Sequence, residues 1–547
     1  MKILPILNSD SYKQFHHIMY PDNLTLLYSN LTPRKSRLKT DKAVWFGLQY
    51  YIKEYLIYQW NELFFQKDIE DIKKEYKRFH KNFSMVDDID TTHIEKLHAL
   101  GYMPLEIKAL DEGSLVPMRV PFFTIKNTHP DFGWLVNFLE TQMSTVIWDL
   151  TTVATISREY RQILDRYALE TTGSKDFVQW QGHDFSMRGR SSIESSFNQA
   201  GHLLSFTGSD TIPAVMFLEK YYGADISKEL VAGSVPASEH SVMMCGGEEA
   251  EIETFERLLD LFPTGIISVV SDTWNLWDVC TKFLPQLKEK VLAREGKLVI
   301  RPDSGDPVDI ICGEKNYYIK YKSIEECEKD LDSNKVSCSL ANVFVINNEY
   351  YTSLTVELNP SKHQLQKKNS TKYKGVIELL WDVFGGTVNE QGYKVLDSHI
   401  GAIYGDSITL DRAEQICERL KAKGFASTNV VLGIGSYTFN YNTRDTLGMA
   451  IKATYCELEE NFLATPESVE RGVRTICREI FKDPITDDGT KKSAKGLLMV
   501  TKDDNGDLIL LDQMSWEEEE QGELKTVFKD GVLIKDQTLA EIRSRLN

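Results

Sequence analysis

Short apolar runs that stop abruptly in polar residues set the rhythm of the middle of this chain. Ile266-Ile-Ser-Val-Val270 runs into Ser271-Asp272-Thr273, Leu298-Val299-Ile300 into Arg301-Pro302-Asp303-Ser304-Gly305, Ile400-Gly-Ala-Ile-Tyr404 into Gly405-Asp406-Ser407, and 429–432 into Gly433-Ile434-Gly435-Ser436. The runs 177–180, before Gly182-His183-Asp184-Phe185, and 203–206, before Thr207-Gly208-Ser209-Asp210, obey the same rule, and the stretch from Ser234 to Ser241 adds another polar stop. Unbroken apolar runs of this length mark strands buried on both faces, and the polar stops cannot extend a ladder, because Pro302 lacks an amide donor and Gly305 invites a turn. Helical periods lie between them. In 248–262 Ile252, Phe255, Leu258 and Leu259 share one face, and in 411–423 Ala413, Ile416, Cys417 and Leu420 do so before Gly424 ends the helix. Repeated strand-then-helix units predict a parallel sheet, and at this count a closed α/β barrel over about 178–440.

The flanks read differently. Asn8-Ser9-Asp10-Ser11-Tyr12 opens a short capped helix that ends before Pro21, a strand is expected at 24–31, and helices dominate from Trp45 to about 100. Strands at 105–110 and 120–125 flank Glu112-Gly113, and the helical period returns over 134–167. Between 311 and about 373 the rhythm breaks into three strand-like runs, a turn at 347–349 and a Lys/Ser/Asn-rich stretch, 361–374, expected to be mobile; this segment is treated as an insertion without chemistry. The domain expectation is therefore 1–177 and 441–547 as the two parts of a mixed α/β domain, with the barrel between them.

Composition narrows the class. With 547 residues the chain can bury a large core, and 42% hydrophobic with 26% charged residues is ordinary for a soluble protein without a membrane span. The eight cysteines are scattered with no Cys-x-x-Cys, so neither a disulfide framework nor a zinc site is expected, no metal ligands are assigned, and a cytoplasmic location fits. A net charge of −18 argues against nucleic-acid partners. Anions remain possible only at a local basic pocket. The barrel would also gather Asp210, His240, Asp272, Arg301, Asp303 and Asp406 into one mouth, because all fall at carboxyl ends of expected strands, where burial and like charges tune histidine and carboxylates. The glycine loops at Gly405 and at Gly433 to Ser436 offer backbone amides for a phosphate.

Asp10-Ser-Tyr12-Lys13, Trp45-Phe-Gly-Leu-Gln-Tyr50, His183-Asp-Phe185, Arg188-Gly189, Ser234-Val-Pro-Ala-Ser-Glu-His240-Ser241, Val270-Ser-Asp272, Arg301-Pro-Asp-Ser-Gly305, Gly405-Asp406, Thr443-Arg-Asp445 and Phe481-Lys-Asp-Pro484 together resemble the nicotinate/nicotinamide phosphoribosyltransferase family, in its nicotinamide-using form. The likeness spans nearly the whole chain apart from the insertion. It implies an irregular barrel of the type II phosphoribosyltransferase kind, transfer of phosphoribose from 5-phosphoribosyl 1-diphosphate to nicotinamide in NAD biosynthesis, Mg²⁺ and ATP as cofactors, and a homodimer whose sites draw on both subunits. By motif, Phe185 and the partner's Tyr12 would sandwich the nicotinamide ring, and Asp210 would accept from its carboxamide. Arg301 would lie near base and ribose, with Asp303 and Asp406 on the ribose hydroxyls. Gly405, Gly435 and Ser436 would hold the 5′-phosphate, while Arg34, Arg188, Arg444 and Lys452 would face the diphosphate; Asp10 and Ser234 belong to the same set. His240 resembles the histidine that ATP phosphorylates, with Asp272 as its orienting partner. Two departures stand out: Tyr437 where the family's glycine loop has a further glycine, and Ala494 where a lysine is usual. The alternatives are nicotinate as the base, or a catalytically silent nucleotide-binding protein. Asp10, Tyr12, His240, Arg301 and Asp303 together argue against the silent reading, because charges are costly to bury without a use.

Overall fold

In the computed structural model, six parallel strands lie side by side in the order Gly208–Ser209, Gly182–Asp184, Val430–Ile434, Ile400–Tyr404, Glu295–Arg301 and Thr264–Val270. The structure describes residues 3–314, 317–336, 342–347, 349–356, 358–368, 371–463, 471–486 and 492–546. The two sheet edges are linked by 233–237, where Gly208 bridges Gly233 and Ala237 bridges Ser268. The curled sheet is thus an irregular barrel, and its carboxyl ends share one rim.

The long apolar runs form strands where expected, and two short ones do not. Residues 177–180 fall mostly in the helix Val178–Gln181, with the strand coming after it at Gly182–Asp184, and 203–206 overlap the end of a 3-10 helix, Phe197–Leu204, before the two-residue strand Gly208–Ser209. A four-residue apolar run carries no period, so buried helix and buried strand look alike in it. These minimal strands are reinforced by the buried Asp184, whose carboxylate accepts from Ser186 N at 3.0 Å, Ser209 Oγ at 3.0 Å and Thr211 Oγ1 at 2.6 Å.

Both termini build one antiparallel sheet, in the order Arg471–Glu479, Ala450–Leu463, Leu24–Thr32, Phe123–Asn127, Leu105–Ala109, Lys525–Lys529 and Val532–Leu533. Lys108 ties it to the C-terminal segment through Glu519 at 2.6 Å, both side chains almost fully buried. The 33-residue helix Glu140–Thr172 is the spine of the molecule. Its Met143 and Ile147 pack in the core beside the antiparallel sheet, whereas Ile156, Tyr160, Leu164 and Ala168 enter the barrel core.

The insertion is a sheet of its own, with strands Tyr317–Tyr321, Asn342–Ile346, Glu349–Val356 and Asn359–Lys367 over a small core of Cys327, Leu331, Phe344 and Ile346. The stretch expected to be mobile is instead the edge strand Asn359–Lys367 and then the helix Thr371–Phe384; its lysines suit an exposed sheet edge, which charge protects from further pairing. The turn expected at 347–349 contains Asn348, which lies outside the described residues, as does Lys491 of the Ala494 segment. Among the described residues no helix is long and apolar enough to cross a membrane.

Candidate functional site

Arg301 ends its strand, and the loop after it is shaped by one carboxylate. Asp272 Oδ2 accepts from Asp303 N at 2.9 Å, from Ser304 N at 2.8 Å and from the Ser304 hydroxyl. Tyr404 Oη donates to Gly305 O at 2.9 Å and holds the loop from its far end. Asp272 therefore templates the Arg301–Gly305 turn. It does not make the expected hydrogen bond to His240, whose Nδ1 pairs with Thr273 Oγ1 at 3.1 Å and whose Nε2 lies 3.2 Å from Asp303 Oδ1. The Asp272 oxygen nearest the turn is committed to Asp303 and Ser304, and its other oxygen makes no hydrogen bond to the ring that the family resemblance assigned to it.

The guanidinium of Arg301 donates to Ser238 O, and Ser238 Oγ in turn accepts from Val270 N at 2.9 Å. Burial pulls the Arg301 guanidinium below its ordinary value against the opposing pull of Asp303, Asp210 and Asp272, and its Nε is buried with no partner among the described residues. Asp210 Oδ1 receives His183 Nε2 at 2.9 Å and the Ser234 hydroxyl. Burial would raise the Asp210 carboxyl, but the bonds from His183 and Ser234 with the charges of His183 and Arg301 outweigh it and hold the group below the usual value. The Phe185 ring lies 4.5 Å from that of His183.

A cavity of about 930 Å³ opens over these groups, lined by Phe185, Arg188, Asp210, His240, Arg301, Asp303 and Gly405, together with Met187, Arg190, Ser192, Ile193, Glu239 and others. Asp406 stands at its edge with one carboxylate oxygen on Ser407 N at 2.6 Å. A Cβ on Gly435 would sit 1.7 Å from Asp406 Oδ1, and one on Gly189 would sit 2.0 Å from Ser436 Oγ, so the two glycines are what let the expected phosphate loop close on its neighbours.

Asp10, Tyr12, Arg34, Arg444 and Lys452 do not line this cavity. They occupy the terminal domain: Asp10 Oδ2 accepts from Thr141 Oγ1 at 2.6 Å, Arg34 Nε donates to Gly448 O at 2.9 Å, and Lys452 Nζ is 3.9 Å from Glu140. Burial lowers the Lys452 ammonium; Glu140 opposes this, while the charges of Arg34, Lys482 and Arg444 add to it, so these cations share one patch. Tyr12 is 59% exposed.

One donor atom from each of His240, Asp272 and Asp303 lies within 4.8 Å of the others, and Asp272 Oδ1 is buried without a partner among the described residues. Two carboxylates with a free oxygen fit a hard divalent cation such as Mg²⁺. Residues that sequence reasoning missed are supporting ones: Thr273 behind His240, Ser238 behind Arg301, Ser304 and Tyr404 on the turn. Thr273, Ser304 and Tyr404 each stand at a strand end or directly after an assigned residue, and Ser238 lies inside the Ser234–Ser241 motif, which is the signal that could have found them.

The model of the nicotinate phosphoribosyltransferase family matches residues 180–532, and that of the nicotinamide phosphoribosyltransferase N-terminal domain matches 5–107. The chain belongs to this family. A protein of Acinetobacter baylyi described as nicotinamide phosphoribosyltransferase is 44% identical over 559 residues, covering 100% of this chain and 97% of that protein. One of Mycoplasma pneumoniae with the same description is 33% identical over 507 residues, 90% of this chain and 94% of the other. A solved nicotinate-nucleotide pyrophosphorylase from Pyrococcus furiosus superposes with a TM-score of 0.49 at 12% identity, covering 100% of this chain and 95% of that one, too distant to carry weight.

Proposed function

We propose that this chain transfers the phosphoribosyl group of 5-phosphoribosyl 1-diphosphate to nicotinamide, releasing diphosphate and forming nicotinamide mononucleotide for NAD biosynthesis. The observation that carries the choice of base is Asp210, a carboxylate held ionised at the cavity wall by His183 and Ser234 beside the face of Phe185. A carboxamide can donate to that oxygen, whereas the carboxylate of nicotinate is repelled by it. The full-length likeness to relatives described as nicotinamide phosphoribosyltransferases supports the same reading.

Phe185 offers one aromatic face to the flat base, and the ring nitrogen of the base attacks C1 of the ribose as the bond to diphosphate breaks. The positive charge that develops on the sugar is met by Asp303 at the cavity wall, Arg301 lies beside base and ribose, and Arg188 meets the departing diphosphate, so the rate gain is positional and electrostatic. Mg²⁺, which Asp272 and Asp303 would help hold, supplies further charge neutralisation when bound. His240, braced by Thr273, would accept the γ-phosphoryl group of ATP on a ring nitrogen with ADP leaving, coupling hydrolysis to synthesis. The exposed Tyr12 and the Arg34, Arg444 and Lys452 patch would complete the site of a second subunit. Product analysis with 5-phosphoribosyl 1-diphosphate, Mg²⁺ and either base tests the reading: nicotinamide should be turned over far faster, and equal turnover of nicotinate refutes the role of Asp210.

A further inference from the structure

Away from the barrel, three side chains from separate segments converge. His17 lies near the end of the 3-10 helix Ser11–Ile18, Asp90 in the loop before the helix Thr92–Leu100, and His93 inside that helix. One donor atom from each lies within 4.8 Å of those of the other two. The two imidazoles stack with centroids 3.6 Å apart and planes 18° from parallel.

Their hydrogen bonding leaves lone pairs to spare. His17 Nδ1 pairs with Gln14 O at 3.0 Å; a carbonyl only accepts, so the proton sits on Nδ1 and Nε2 keeps a free lone pair. His93 is 9% exposed and its Nδ1 is buried with no partner among the described residues. Asp90 Oδ1 takes both Thr92 N at 3.1 Å and Thr92 Oγ1 at 2.7 Å, a brace that leaves its other oxygen to point elsewhere. A buried imidazole nitrogen without a partner is costly, and its neighbours offer no relief, since the Trp134 ring meets His93 edge-on at 5.2 Å and Tyr76 at 6.0 Å.

We propose that His17, Asp90 and His93 form a binding site for one divalent transition-metal ion of the zinc class, water completing its coordination. Two neutral imidazoles and one carboxylate are the donors such an ion prefers, a backbone carbonyl on the distal nitrogen of His17 is the usual outer support, and the Trp134 and Tyr76 rings pack around His93. Because a cation lies in the plane of each ring it binds, the stacked pair must open slightly, and the less buried His17 is the one free to turn. The ion would rivet the 3-10 helix that carries Tyr12 and is preceded by Asp10 to the helix Thr92–Leu100, adding to the ring stacking between them.

The test is a titration of the purified full-length protein with Zn²⁺ against a chromophoric chelator, repeated with Co²⁺ to read the visible bands of a low-coordinate site. One equivalent should bind that Asp303→Asn, which removes a donor of the barrel cluster, leaves in place, and Asp90→Asn, His17→Gln and His93→Gln should each weaken that equivalent by on the order of 100-fold. Asp90 is exposed, so its variant decides the matter even if the buried His93 variant fails to fold. Zn²⁺ should also raise the melting temperature of the unmutated protein and not that of Asp90→Asn. Absence of a bound equivalent, or an equivalent that survives Asp90→Asn and His17→Gln but is lost in Asp303→Asn, overturns the proposal.

Discussion

Replacing Glu251 by glutamine should change how stability depends on pH. Glu251 is 2% exposed, one of its oxygens has no partner among the described residues, and burial, with the charges of Glu248, Asp272 and Asp278 behind it, pushes its carboxyl from 4.5 up to about 7. Between those values the folded protein holds a proton that the unfolded chain has released, so stability must fall as pH rises from about 4.5 to about 7 and level off above. At 1.36 kcal/mol per pH unit the full loss is about 3 kcal/mol, and water reaching the charged form reduces it to about 1–2 kcal/mol. Glu251→Gln removes the titration, so the variant should match the unmutated protein near pH 5 and melt a few degrees higher near pH 8, on the order of 2–4 °C. Asp272→Asn, which deletes one of the like charges, should shrink the pH-dependent part. Melting temperatures across pH 4.5–8.5 read both effects, by calorimetry or by tryptophan fluorescence. Parallel curves for the unmutated protein and Glu251→Gln over that range would refute the argument.

Three further outcomes are expected. Mixing an inactive Tyr12→Ala protein with an inactive Phe185→Ala protein should restore part of the activity, because a mixed dimer regains one site with both rings; proven mixed dimers without activity would count against shared sites. His240→Ala should take up no label from γ-labelled ATP yet keep a slow ATP-independent transfer, and an unmutated protein that takes up no acid-labile phosphate removes the coupling role. Gly435→Ala should lower kcat/KM for 5-phosphoribosyl 1-diphosphate by about 10- to 100-fold and the melting temperature by a few degrees, since the new Cβ would stand 1.7 Å from Asp406 Oδ1 and displace a charge-assisted bond to Ser407 N worth about 1.5–3 kcal/mol; unchanged kcat/KM and melting temperature would refute the close approach.

How much of this was legible depended on whether the apolar run lay inside the strand or before it. The runs 266–270, 298–300 and 400–404 lie inside Thr264–Val270, Glu295–Arg301 and Ile400–Tyr404, which are neighbours in the barrel, and Arg301, Asp303 and Gly405 at the ends of the last two line the cavity. The strands Gly182–Asp184 and Gly208–Ser209 were misplaced because two or three residues cannot display a period. Hydrogen-bond partners were less legible still. The family resemblance offered Asp272 to His240, but one oxygen of that carboxylate is held by the amides of the turn, and the ring pairs with Thr273 and Asp303.

The same competition explains why His183-Asp184 divides its work between two residues that look alike as candidates. Successive residues of a strand face opposite sides, so only one of a pair can reach the cavity. His183 faces that side and holds Asp210, which lines the cavity. Asp184 turns the other way, is fully buried, and fills its carboxylate with Ser186, Ser209 and Thr211, doing with three hydrogen bonds what a two-residue strand cannot do with its ladder. A His-Asp dipeptide at a strand end therefore marks a cavity neighbour and its scaffold at once, and only the alternation of faces, which a strand of three residues is too short to reveal in sequence, says which residue is which.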